Sequence, residues 1–112
     1  LSLEISVKKG EAKTLKFTYT DLSGDAVDVS GATFSFVVKS SKAETSYLIE
    51  KTDANFDKSG AENGIVSVIL NETDLAQDPA VYFAEIRAHW SSDNSDLSKD
   101  IKLTIEQAVY HG

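Results

Sequence analysis

Apolar and polar residues alternate along most of the chain. In KTLKFTYT (13–20), Leu15, Phe17 and Tyr19 fall on one face while Lys16, Thr18 and Thr20 fall on the other, the signature of a half-buried strand. ATFSFVVK (32–39) repeats this with Phe34, Phe36 and Val38. LEISV (3–7), SYLIEK (46–51), GIVSVIL (64–70), AVYFAEIRAHW (80–90) and SKDIKLTIEQ (98–107) extend the series to about seven strands. Between them stand SGD (23–25), VSGA (29–32), SGAENG (59–64) and SSDNSD (91–96), whose Gly, Asn, Asp and Ser residues suit tight turns. NETDLAQDP (71–79) differs in kind, with Asn71 as an N-cap and Pro79 as a stop, and predicts a short helical turn over 71–78. Residues 40–63 are polar and weakly patterned, so flexible loops are expected there. The sum is an all-β fold, an antiparallel two-sheet sandwich with an immunoglobulin-like strand count.

Composition narrows this further. The chain of 112 residues fits a single domain spanning 1–112. Its start at Leu1 rather than Met fits a trimmed chain or a piece of a longer one. No apolar run is long enough for a membrane helix, and no interaction with a membrane is expected. The absence of Cys excludes disulfides and thiolate chemistry. A net charge of −7, spread along the chain, repels phosphate backbones, so no nucleic-acid partner is expected. Arg87 is the single arginine able to fork onto a carboxylate or phosphate.

QDPAVYFAEI (77–86) resembles the start of the sixth strand of antibody-type domains, with Ala84 where the bridging cysteine would stand. Tyr82 follows the crossing between sheets and has the place of a tyrosine corner, its hydroxyl turned back onto the preceding backbone. Local geometry explains this likeness. Elsewhere it fails: 46–51, taken as the third strand, lacks the core Trp, and Trp90 stands at the end of strand six.

A longer likeness runs through KKGEAKTLKFTYTDLSGDAVDVSGATFSFVVK (8–39), with Gly10-Glu11, Thr20-Asp21 and Gly24, then Val27-Asp28-Val29-Ser30-Gly31-Ala32 and an alternating strand. Gly64, Thr73-Asp74, Tyr82 and Glu85-Ile86 keep the same rhythm later. The chain resembles the immunoglobulin-like N-terminal module of upper baseplate proteins of tailed phages. It departs from that family at Pro79-Ala80, where a Gly is usual, which implies a stiffer corner. The resemblance implies a structural role in the virion, assembled in the bacterial cytoplasm. The partners would be other baseplate proteins or further copies of the chain, as a homo-oligomer. It carries over no catalytic residue and no cofactor.

Candidate chemistry is sparse. His89 alternates outward with Glu85 and Arg87, and one His without a second ligand reads as an exposed strand residue. His111 reads as a tail residue. The string Ser91 to Asp96 is oxygen-rich but lacks calcium-loop spacing and reads as a turn between strands six and seven. Asp25 and Asp28 read as turn residues, with Asp28 accepting backbone N–H groups. There is no G-x-S-x-G string and no paired set of nucleophile and base, so the chain reads as a non-enzyme. Asn71-Glu72-Thr73 reads as a cap rather than a glycan acceptor.

More informative are apolar residues on the side expected to be wet. Val81 and Phe83 alternate with the core set of strand six, and Ile65 and Ile69 with that of strand five. Either the 40–63 segment folds over them or a partner does, which makes Val81, Phe83, Ile65, Ile69 and Arg87 the candidate interface. The alternative function is a carbohydrate-binding or cell-surface adhesion module, whose rings would come from Tyr47, Phe56, Phe83 and Tyr110.

Overall fold

The computed structural model describes residues 3–41, 43, 45–91 and 95–107, with Ser95 described through its backbone alone. Among the described residues there are eight strands: β1 (Leu3–Lys8), β2 (Lys13–Thr18), β3 (Thr33–Lys39), β4 (Ile49–Lys51), β5 (Phe56–Asp57), β6 (Ile65–Leu70), β7 (Ala80–Trp90) and β8 (Ser95–Glu106). One sheet runs β1-β8-β7-β3-β4 and the other β2-β6-β5. The two close face to face on Leu15, Phe17, Val66, Val68 and Leu70 from the smaller sheet and Phe34, Phe36, Val38, Tyr82, Ile86, Leu103 and Ile105 from the larger. Every one of these is an inward member of a period-two series.

The core centres on aromatic rings where an antibody-type domain has a bridge and a Trp. Phe17 and Phe36 lie 6.3 Å apart between centroids, and Phe34 meets both Tyr19 at 6.1 Å and Phe56 at 5.5 Å. In chain order the third strand of the sandwich is β3, not 46–51, and Phe34 and Phe36 are the large rings that it contributes. Ala84 is buried on β7, and Trp90, expected in the core, is half-buried at the end of that strand.

Three further expectations are corrected. The strand count is eight rather than seven, because β5 is a two-residue strand too short to alternate. The pairing is not antiparallel throughout, since β1 runs parallel to β8 from Leu3↔Ile101 to Lys8↔Glu106. The crossing at 71–79 holds the expected short helical turn, closed where the Leu75 N–H donates to the Asn71 carbonyl at 3.1 Å. There the Asp74 N–H donates to Asn71 Oδ1 at 2.8 Å and the Asn71 N–H to Asp74 Oδ2 at 2.9 Å. The reciprocal pair closes a turn that buries Leu75. Asp74 also meets Lys51 Nζ at 2.7 Å, which ties the crossing to β4.

The third correction concerns 40–63. Ile49, Phe56 and Ala61 are buried, so this stretch closes the side of the core instead of forming loops alone. Two 3-10 turns, Asp53–Asn55 and Ala61–Asn63, set its path. The Phe34 N–H donates to Asp53 Oδ1 at 2.9 Å, and Lys58 Nζ reaches both Asp53 Oδ1 at 3.0 Å and the Ala32 carbonyl at 3.2 Å. These bonds, with the Lys58 ammonium beside it, hold the Asp53 carboxyl below its ordinary range against the opposing effect of burial.

Turns behave as the sequence indicates. Asp28 Oδ1 accepts from the Ser30 hydroxyl at 2.7 Å and the Ser30 N–H at 2.9 Å, which lowers the Asp28 pKa. Asp21 Oδ1 accepts from the N–H groups of Ser23 and Asp25, and Gly24 supplies the positive φ of 87° that the turn requires.

Candidate binding face

Strand β7 carries two sets of side chains. Tyr82, Ala84, Ile86 and Ala88 face the core, while Val81 and Phe83 face outward at 45% and 37% exposure. The register Lys39↔Phe83 and Phe83↔Lys102, followed by Val37↔Glu85 and Glu85↔Asp100, places Phe83 at the centre of the outer face of the five-stranded sheet. Tyr47, on the segment before β4, leans onto the same place. Val37, Lys39, Tyr47, Phe83, Glu85 and Asp100 line a shallow depression of about 210 Å³.

The depression has an apolar floor and a charged rim. Glu85 and Asp100 bring carboxylates from neighbouring strands, and Arg87 Nη2 lies 3.5 Å from Glu85 Oε1. Such mixed rims fix orientation and contribute little raw affinity.

Of the five candidate interface residues, the fold brings Val81, Phe83 and Arg87 onto this one face. Ile65 and Ile69 lie on β6 in the three-stranded sheet, with Ile69 exposed at 60% on its outer side. No single contact takes in all five, because the two outer faces point away from each other. Ile65 is half-buried against the Gly60 turn, where its N–H donates to the Gly60 carbonyl at 3.0 Å. Val37, Lys39 and Asp100 join the site without having been singled out in the sequence. Their outward alternation was readable, but the register placing them beside Phe83 was not.

Other candidates settle into local roles. His89 Nδ1 pairs with Asp96 Oδ1 across the β7–β8 ladder, so Asp96 belongs to a strand rather than to the turn. Ser92, Asp93 and Asn94 lie outside the described residues, as do Tyr110 and His111. Among the described residues no group of three or more His, Cys, Asp or Glu side chains gathers as a metal site. Phe56, one of the rings considered for sugar stacking, is buried in the core. The Tyr82 hydroxyl donates to the Asp78 carbonyl at 2.6 Å, which is the expected corner.

No family model and no curated protein matches the chain. Among solved structures it is similar to the inferred receptor-binding domain of the human endogenous retrovirus envelope EnvP(b)1. That match has 12% identity and a TM-score of 0.53, covering 98% of this chain and 92% of that one. It is also similar to human T-cell immunoglobulin and mucin domain protein 1, at 14% identity and a TM-score of 0.45, covering 95% of this chain and 99% of that one. Identities this low speak to fold alone. With its two packed sheets and its tyrosine corner, the chain is an immunoglobulin-like β-sandwich.

Proposed function

We propose that the chain is a non-enzymatic docking module of a phage or prophage virion, acting through protein–protein contacts on the outer face of its five-stranded sheet. The observation that carries docking is the placement of Phe83 beside Val37 and Tyr47, with a charged rim and with Val81 exposed two residues along on the same sheet face. A sheet face meant only for water would present Thr, Lys or Glu at those positions. The virion setting rests on the resemblance of residues 8–39 to the upper-baseplate module. The partner is another virion component or a further copy of the chain. Backbone amide and methyl shifts followed by NMR as protein concentration rises test the location: the reading predicts movement centred on Val37, Tyr47, Val81 and Phe83. Movement centred on Ile65 and Ile69 would place the contact on the opposite sheet.

A second reading has one observation in its favour. Tyr47 and Phe83 line the same depression as Glu85 and Asp100, and rings beside carboxylates can hold a sugar through stacking and hydroxyl hydrogen bonds. Titration with neutral oligosaccharides separates the two, because a carbohydrate module shifts Tyr47 and Phe83 at constant protein concentration and a docking module does not.

A further inference from the structure

Among the described residues β2 is an edge of the smaller sheet, and the antiparallel register with β6 fixes which backbone groups are used. The Tyr19 N–H donates to the Gly64 carbonyl at 2.8 Å, so by alternation Lys13, Leu15 and Phe17 also bond toward β6. Thr14, Lys16 and Thr18 therefore turn their N–H and C=O groups to the open side.

The facing sheet is uncovered at the same place. β8 begins at Ser95, but β1 pairs with it only from Ile101 onward, so among the described residues its first half has no neighbour on that side. Leu97 and Lys99 share the inward alternation of Ile101 and Leu103, yet Leu97 is 47% exposed, and Leu3 at the start of β1 is 38% exposed. Between this uncovered strip and the open edge of β2 runs a groove of about 300 Å³. Leu3, Phe17, Ile86, Lys16, Tyr19 and Lys99 line it. Tyr19, which lines this groove, carries a buried hydroxyl with no hydrogen-bond partner among the described residues.

We propose that this groove is a strand-addition site for an extended acidic segment of a partner polypeptide, distinct from the contacts around Phe83. The open edge dictates an extended occupant, since a strand pairs with the free backbone groups of Thr14, Lys16 and Thr18. Its inward side chains cover Leu3, Phe17, Ile86 and Leu97, and a polar group on it satisfies the Tyr19 hydroxyl. Charge selects acid: Lys16 and Lys99 line the groove and have no ion-pair partner among the described residues. A second copy fits less well, because the apolar side of its own edge strand β1 already serves its own sandwich.

The test is amide hydrogen exchange with a capped synthetic peptide, TVEVTVEVT, at millimolar concentration, beside its basic counterpart TVKVTVKVT. The acidic peptide is expected to slow exchange at Thr14, Lys16 and Thr18 by about tenfold or more, and the basic one to leave it unchanged. Lys16→Pro removes an outward N–H without breaking a native bond, so it should stay folded and lose the protection. If that variant does not fold, Lys16→Glu combined with Lys99→Glu must weaken the protection instead. Unslowed exchange at all three amides overturns the proposal, as does equal protection by both peptides. Protection that grows with protein concentration alone makes the occupant a second copy, which also overturns it.

Discussion

The hydroxyl of Tyr82 donates to the carbonyl oxygen of Asp78, four residues earlier, at 2.6 Å. That bond pins the crossing between the sheets to the start of β7, the strand that carries both the core series and the outer apolar series. Tyr82→Phe leaves the Asp78 carbonyl to water and removes the pin. The expected cost is about 1 kcal/mol, read as a lower denaturation midpoint with an unchanged denaturant slope. An unmoved midpoint would mean that the corner contributes nothing.

Tyr19 predicts the opposite outcome. Its hydroxyl is buried without a partner among the described residues, so Tyr19→Phe should be neutral or stabilising at neutral pH. Burial also pushes this phenol from 10.0 up to about 12. An unfolded chain releases the proton at the ordinary value while the folded chain resists. The resulting stability is complete below the unfolded pKa and is lost as pH rises through the folded one. Melting curves across that alkaline window should fall less steeply for Tyr19→Phe than for wild type.

Two glycines with the same backbone sign separate strain from collision. Gly10 and Gly64 have φ of 75° and 79°, but a Cβ on Gly10 meets nothing within 4 Å. On Gly64 it would stand 2.4 Å from the Tyr19 carbonyl oxygen and 2.9 Å from that of Val27. Gly10→Ala should cost about 1 kcal/mol from conformation alone. Gly64→Ala should cost about 3 kcal/mol or more, since backbone on both sides must move. Chemical denaturation of the two variants compares them directly.

Much of this fold was legible because period two is a local signal. Leu15-Phe17, Phe34-Phe36-Val38 and Val66-Val68-Leu70 each announce a buried face without reference to any neighbour. Tyr82 was legible because a corner is built within a few residues. What alternation cannot convey is which sheet a strand joins. Ile69 and Phe83 carry the same outward signal yet stand on opposite sides of the sandwich. Phe56 and Ala61 were hidden for another reason: they enter the core from 3-10 turns and a two-residue strand, which have no period to read. The open edge of β2 was invisible too, since an edge depends on the order of strands in a sheet.

The most direct measurement is sedimentation of wild type and Phe83→Glu at matched concentrations, with a melting curve for each. Phe83 faces away from the core, so the variant should keep the wild-type melting midpoint. A buried aromatic anchor is worth roughly 2 kcal/mol, so its loss should weaken association about thirtyfold. Ile69→Glu, on the other sheet, should associate as wild type does. A Phe83→Glu chain that unfolds would show Phe83 to be part of the core, and one that stays folded and associates like wild type would place the contact elsewhere.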